Sequence, residues 1–238
     1  MKIALLGYGK MGREIETIAL ERKHLITMVI DAFNPQDFTI ANLQKADVAI
    51  DFSTPDSAFQ NIMRCFEAGI PVVCGTTGWL DKIDEVKECC NQQNQTFFYA
   101  SNFSLGVNIL FAVNKYLSHI MDSFNSYEVG LKEVHHIHKL DAPSGTAISL
   151  AKDIISNVSR KHKWELNKAS DSSVLRITAE RRNEVPGTHI ITWESAEDRI
   201  EISHEAKSRK GLALGAILAA EFVRNKKGIF GMQDMIKL

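Results

Sequence analysis

Five short apolar runs, KIALLG, LITMVID, DVAIDF, PVVCG and TFFYA, punctuate the first hundred residues. Between them, apolar positions recur with a helical period over residues 11–20, 55–68 and about 80–93. In the first of these stretches Met11, Ile15, Ile18 and Ala19 fall on one face. The second has a start signal, Thr54 as N-cap and Pro55 at the first helical position. The strand runs are nearly continuous in apolar residues, as expected of strands covered on both faces. Alternation of this kind predicts right-handed βαβ units around a parallel sheet.

Beyond Asn102 the rhythm changes. An apolar helix over about 106–121 leads to a strand-like SYEVGLKEV, a polar histidine-rich loop and a helix over about 144–162. Three alternating runs follow, VLRITAERR, THIITWES and RIEISHEA, separated by the turn signals VPG and EDR. Strands in series with short turns predict an antiparallel or mixed sheet in a second, α+β domain. A last helix, about 212–224, is expected to return to the first domain. The one linker candidate is the short polar stretch 167–173. There is no internal repeat and no low-complexity segment.

Composition narrows the class of function. The chain has 238 residues, 45% of them hydrophobic, and a net charge of −1. Such a chain buries a substantial core and has no global field to draw it to nucleic acid or an anionic membrane. The N-terminus runs into a strand without the features of a secretory signal, and no apolar run approaches the roughly 20 residues of a membrane span. Cys65, Cys74, Cys89 and Cys90 have no CxxC spacing and read as reduced thiols. The expectation is a cytoplasmic protein that binds neither nucleic acid nor membrane.

The run Gly7-Tyr8-Gly9-Lys10-Met11-Gly12 is a GxGxxG that leaves a strand and opens a helix. Glycine lets the backbone turn tightly and approach a pyrophosphate, while the helix N-terminus offers N–H groups and a positive dipole end. Asp31 closes the second strand 19 residues after Gly12, where an acid hydrogen-bonds ribose hydroxyls in such folds. A purely structural glycine turn is the alternative, and FAD is a less suitable ligand than a nicotinamide dinucleotide for so small a chain. Two further polar segments follow strands on the same side of the sheet, Gly75-Thr76-Thr77-Gly78 and Ala100-Ser101-Asn102-Phe103. Ligands of open α/β sheets bind outside the carboxyl ends of strands. Both segments also fit ordinary turn chemistry.

The most informative stretch is EVHHIHKLDAPSGTA, residues 133–147. It places His135, His136, His138 and Lys139 beside Pro143-Ser144-Gly145-Thr146, which begins a helix. Cations beside a helix N-terminus, with hydroxyls from Ser144 and Thr146, suit carboxylates. Zinc ligation by the histidines lacks a cysteine or well-spaced acid to complete a set, so no metal is expected. A solvated basic loop is the other bland reading. A His/Lys pair beside an anion site and a dinucleotide domain favours acid-assisted reduction.

These segments resemble, in order, those of the dihydrodipicolinate reductase family: GYGKMGRE, DFSTP, GTTGW, ASNFSLGVN and the histidine-rich loop. The resemblance spans essentially the whole chain. It implies an α/β architecture, with a Rossmann-type parallel-sheet domain over 1–104 and 212–238. A second α+β domain with a mixed or antiparallel sheet, over 105–211, would bind substrate and build a homotetramer. It implies reduction by NADH or NADPH of the cyclic imine formed from 4-hydroxy-tetrahydrodipicolinate, in diaminopimelate and lysine biosynthesis.

By the same resemblance His135 is the catalytic histidine and Lys139 the proton donor. His136, Ser144, Gly145 and Thr146 hold the dicarboxylate substrate. Gly7, Tyr8, Gly9, Lys10, Met11, Gly12, Asp31, Gly75, Thr76, Thr77, Ala100, Ser101, Asn102 and Phe103 contact the coenzyme. The chain departs from many members in carrying Ile137 where they have arginine, and in a glycine loop one residue shorter. No basic residue directly follows Asp31, which weighs against strict NADPH use; Lys10 and Arg13 are the cations nearby. Other readings of the residues are a reductase of a different keto or imino acid, a dinucleotide sensor without turnover, and a metal-dependent hydrolase.

Overall fold

The computed structural model describes residues 1–237. The first half runs β1 (Lys2–Leu6), α1 (Lys10–Glu21), β2 (Leu25–Ile30), α2 (Ile40–Leu43), β3 (Val48–Asp51), α3 (Pro55–Glu67), β4 (Val72–Cys74), α4 (Ile83–Gln92) and β5 (Thr96–Tyr99). Next come α5 (Leu105–Met121), β6 (Glu128–His135), α6 (Gly145–Asn157), β7 (Lys163–Leu166), β8 (Val174–Arg181), β9 (Thr188–Glu194) and β10 (Arg199–Glu205). The chain closes with α7 (Lys210–Val223), β11 (Gly228–Phe230) and α8 (Met232–Ile236). It divides into two compact units, Met1–Leu105 with the segment from Arg209, and Gly106–Ser208.

The first unit is a parallel sheet in the order β11-β5-β4-β3-β1-β2. Period-two alternation sends Ile3 and Leu5 to one face, with α1 and α7, and Ala4 and Leu6 to the other, with α2, α3 and α4. Apolar strands are thus covered on both sides, as their composition requires. The order reverses between β1 and β3, which makes their carboxyl ends the switch point where such sheets bind ligands. Helix α7 is rich in small residues and lies very close to the segment after β5: a Cβ on Gly215 would fall 1.7 Å from the Phe103 carbonyl oxygen.

The second unit is a mixed sheet in the order β10-β9-β6-β8-β7. β6 pairs antiparallel with β9 and parallel with β8, and β9 pairs antiparallel with β10. On one face Val129, Leu131, Leu175, Ile177, Ile191 and Trp193 pack with Leu110, Leu150, Ala151 and Ile154 from α5 and α6. The opposite face presents Glu128, Lys132, Arg176, Thr178, Thr192 and Glu194, all at least partly exposed.

Several expectations are corrected. β8 and β9 are consecutive in sequence but not paired, because β6 lies between them. The helix expected over 144–162 ends at Asn157, and Val158 is already extended. Residues 163–166 form an edge strand instead, with an apolar content too low to read. The stretch 167–173 is a connection inside the second unit, not a linker; Lys161 Nζ anchors it by donating to the Ser172 carbonyl at 2.6 Å. The helix over 80–93 opens as a one-turn 3-10 helix, Leu80–Lys82, before α4. The short elements β11, α2 and α8 leave no periodic signature in three to five residues.

Candidate active site

The glycine-rich turn starts where β1 ends. Gly7 has φ +92°, and a Cβ there would lie 2.2 Å from the Phe52 carbonyl oxygen, so the turns after β1 and β3 touch through backbone. A Cβ on Gly12 would lie 2.3 Å from the Gly7 oxygen. Internal packing therefore demands glycine at both positions. Gly9 is different, because a Cβ there would meet nothing within 4 Å. It is also the N-cap of α1, with no side-chain cap and no acid in the first turn. A phosphate fits this helix start, whose N-cap glycine offers no side chain to its amides.

Beside this turn, the Tyr8 hydroxyl donates to Glu16 and the Arg13 guanidinium lies 5.0 Å over the Tyr8 ring. Hydrogen bonding to the Glu16 carboxylate raises the Tyr8 phenol above its ordinary range. Lys10 is exposed and Met11 half-buried. Asp31 follows β2 in a reciprocal turn: its Oδ1 accepts from the Phe33 amide at 2.8 Å, and its amide donates to Asn34 Oδ1 at 2.9 Å. Phe33 is 91% exposed.

The other two coenzyme segments are fixed from beneath. Asp51, at the end of β3, is fully buried; it accepts from the Thr76 and Ser53 hydroxyls and from Asn61 Nδ2 at 2.7 Å. Burial raises its carboxyl, and the hydrogen bonds from Thr76, Asn61 and Ser53 oppose that shift. Thr76 is thereby buried with its hydroxyl engaged, and its Oγ1 also accepts from the Ser53 amide at 2.9 Å. Trp79 Nε1 donates to the Thr76 carbonyl at 2.7 Å, while Thr77 and Gly78 remain exposed. Gly75 packs so closely on the Phe52 ring that a Cβ would lie 2.2 Å from it. Ala100 and Phe103 are buried, so a ligand reaches them through backbone; Ser101 is exposed and Asn102 Oδ1 accepts from the Ser104 amide at 2.9 Å.

The second unit does not gather its histidines and lysine as one cationic patch, as the sequence led us to expect. His135 is the last residue of β6 and its side chain lies on the interior face of the sheet, buried. His136 and His138 belong to the loop, their rings 6.1 Å apart, and His138 Nε2 lies 3.2 Å from Glu184 Oε1 on the surface. Lys139 Nζ donates to Asp141 Oδ1 at 2.8 Å, which holds the Asp141 carboxyl below its usual range. The strand ends at His135, on its interior phase, so His136, His138 and Lys139 follow in the loop instead of sharing its face.

The start of α6 also differs from expectation. Ser144 is buried, its Oγ accepts from the Ala147 amide at 3.2 Å, and it lies 3.2 Å from His189 Nε2. Its own amide donates to Glu133 Oε2 at 3.0 Å. The hydroxyl therefore caps its own helix and faces inward. Gly145 is exposed and Thr146 half-buried in the first turn.

Around His135 the structure assembles residues that the sequence reading did not single out. Glu133 and His189 are cross-strand partners, and Arg181 sits opposite His135 on β8. Glu133, His135 and His189 each bring a ligand-type atom within 4.8 Å of the others. An acid thus does approach the histidines. Both terminal nitrogens of Arg181 lie 3.3 Å from Glu133 Oε1, however, so that carboxylate already faces a fixed cation. The desolvation of a buried ring pushes His189 down to about 4 and lowers His135 as well. A charged residue on the buried phase of EVGLKEVH was the available signal for Glu133.

Comparison with known proteins identifies the family. Residues 1–103 match the family described as dihydrodipicolinate reductase, N-terminus, and residues 106–236 match its C-terminus. The chain is 49% identical to 4-hydroxy-tetrahydrodipicolinate reductase of Christiangramia forsetii, over 99% of this chain and 98% of that one. It is 35% identical to the Staphylococcus carnosus protein of the same name, over 99% of each. In fold it is similar to the dipicolinate-bound dihydrodipicolinate reductase of Paenisporosarcina sp. TG-14, with TM-score 0.80 and 22% identity over 98% of each chain. On both halves of its sequence, the chain belongs to the dihydrodipicolinate reductase family.

Proposed function

We propose that the chain reduces 4-hydroxy-tetrahydrodipicolinate, through its dehydrated cyclic imine, to tetrahydrodipicolinate with a nicotinamide coenzyme. The observation that carries this reading is the match of residues 1–103 and 106–236, in order, to the two halves of one reductase family. The coenzyme, when bound, supplies the hydride. In our reading Gly7–Gly12 and the start of α1 hold its pyrophosphate, with Tyr8, Lys10 and Met11 alongside. Asp31 accepts from ribose hydroxyls, and 75–77 and 100–103 position the nicotinamide half.

His136 and the α6 turn of Ser144, Gly145 and Thr146 hold the substrate carboxylates. Ser144 does so by keeping the turn in place, since its amide and hydroxyl face inward. Reduction of a conjugated imine leaves a nitrogen-bearing anion that needs a proton. Lys139 Nζ supplies it, released from Asp141 as a substrate carboxylate takes over that contact. Burial lowers the His135 ring below its ordinary range, and the ring shapes the field around Lys139.

We further propose a cytoplasmic homotetramer built through the polar open face of the second sheet; a monomeric mass in solution would contradict that assembly. Asp31, with Ala32 and Phe33 after it and Arg13 engaged on Tyr8, suits NADH at least as well as NADPH. The test of function is a coupled assay that makes the substrate in situ from pyruvate and aspartate semialdehyde. Substrate-dependent oxidation of NADH or NADPH is expected, and its absence with both coenzymes would refute the assignment.

A further inference from the structure

The second unit holds a buried ion pair that the reduction described above does not use. Glu133 is 0% exposed on the interior phase of β6. Its Oε1 accepts from Arg181, while Oε2 accepts from the Ser144 amide and lies 3.5 Å from His135 Nδ1. Arg181, from β8, uses its remaining donors on backbone carbonyls: Nη2 to Asp141 at 2.5 Å, Nε to Lys139 at 3.3 Å and Nη1 to Glu180 at 3.0 Å. One carboxylate–guanidinium pair therefore touches the strand end that carries His135, the chain through Lys139 and Asp141, and the first residue of the α6 turn.

We propose that Glu133 and Arg181 are positioning residues for the reduction, holding the proton-donor loop, His135 and the carboxylate-binding turn in one fixed arrangement. The inference rests on the reading of Lys139 as proton donor. Stability alone gives little reason to keep such a pair, because buried ion pairs are often matched by well-packed apolar residues of similar volume. What an apolar pair lacks is direction. The planar fork of arginine fixes two loop carbonyls and a carboxylate at once, and lysine has no equivalent geometry. Small misplacements of a catalytic group carry large rate losses, up to about 10²-fold for roughly 1 Å.

The charged groups around His135 are Glu133 on its own strand, Arg181 from β8, His189 from β9, and Lys139 and Asp141 from the loop. Of these, the Glu133 charge and the Asp141 charge favour the protonated ring and the cations oppose it. Glu133→Gln keeps the shape and removes the charge, so His135 should titrate at lower pH in NMR. A side chain that only fills space would leave that titration unmoved.

The decisive comparison is among the parent, Arg181→Lys and the apolar double variant Glu133→Leu/Arg181→Met. The proposal expects kcat to fall by ~10–100-fold in both variants, with dinucleotide Kd within twofold of the parent. It also expects faster amide exchange over residues 136–141. A folded double variant with parental kcat, KM and exchange would overturn it. Should the double variant fail to fold, parental kcat and exchange in Arg181→Lys would overturn it equally. A parent without turnover would refute the reductase reading instead, and loop exchange together with the His135 titration in Glu133→Gln would still decide the positioning claim.

Discussion

The Ser144 amide donates to Glu133 Oε2 at 3.0 Å, so the turn that begins α6 is fixed by a buried carboxylate from β6. This single bond joins the strand that delivers His135 to the helix whose start is proposed to receive the substrate's carboxylates. Removing the acid should therefore be costly. Glu133→Ala leaves the Arg181 guanidinium without its partner in a largely buried position. We predict a loss of about 3–5 kcal/mol in urea unfolding, the range for breaking one side of a buried pair. A loss below ~1 kcal/mol would show that water or loop movement replaces the contact.

The glycine turn separates structural from ligand-driven demands. Gly7→Ala should impair folding, since its Cβ would meet Phe52 backbone and its φ is left-handed. Gly9→Ala should leave the melting temperature within a few degrees of the parent, because its Cβ enters open space. Dinucleotide Kd should rise at least about tenfold, as a methyl group obstructs close approach of pyrophosphate to backbone. Equal coenzyme affinity in parent and Gly9→Ala would place the pyrophosphate elsewhere.

Those contrasts mark how far the sequence carries. The parallel sheet was legible because each apolar run is bounded by glycine or polar turns and alternates with a 3.6-residue period. GxGxxG and Asp31 could be placed because strand, turn and helix are contiguous in the chain. The second unit resisted for a physical reason: β6 pairs with β8 on one side and β9 on the other, and local patterning carries no record of such partners. Arg181 and His189 lie about fifty residues from Glu133, so only the sheet brings them together. Ser144 was read as facing ligand because its N-cap chemistry was visible, whereas its bond to Glu133 was not.

Protonation of the buried histidines should make the protein acid-sensitive. His189 titrates near 6.5 when unfolded and is pushed down to about 4 when folded. The unfolded chain thus binds more protons between these values, and stability falls as pH drops from about 6.5 toward 4. The loss from this group is on the order of 3 kcal/mol, reached near the folded value. His135 and His204 shift in the same direction, whereas raised Asp51 opposes them at the acid end. In urea titrations across this window His189→Asn should flatten the slope; an unchanged slope would contradict the assignment.

Coenzyme choice follows from Asp31. A carboxylate held at the end of β2 accepts from ribose hydroxyls and repels a 2′-phosphate, and no cation directly follows it. We predict kcat/KM with NADH at least comparable to that with NADPH. Asp31→Ser should shift the ratio toward NADPH by at least several-fold. A hundredfold preference of the parent for NADPH would contradict this, and would direct attention to Lys10 and Arg13.

Dipicolinate should compete with substrate, because it is planar and carries both carboxylates. Binding should weaken when His136 and Thr146 are both replaced by alanine. Calorimetry that finds unchanged dipicolinate affinity in the double variant would move the carboxylate site away from the α6 turn.

The most direct test of the account is kcat of Lys139→Ala in the coupled assay, measured with KM and with dinucleotide Kd. If Lys139 donates the proton, kcat falls by roughly 10²–10⁴-fold, while coenzyme affinity is unchanged because the loop belongs to the second unit. The losses in Lys139→Ala and His135→Ala should then fail to multiply in the double variant, as for residues that act as a unit. A Lys139→Ala enzyme with near-parental kcat and only a raised KM would contradict the account, leaving lysine as a carboxylate contact and not the acid.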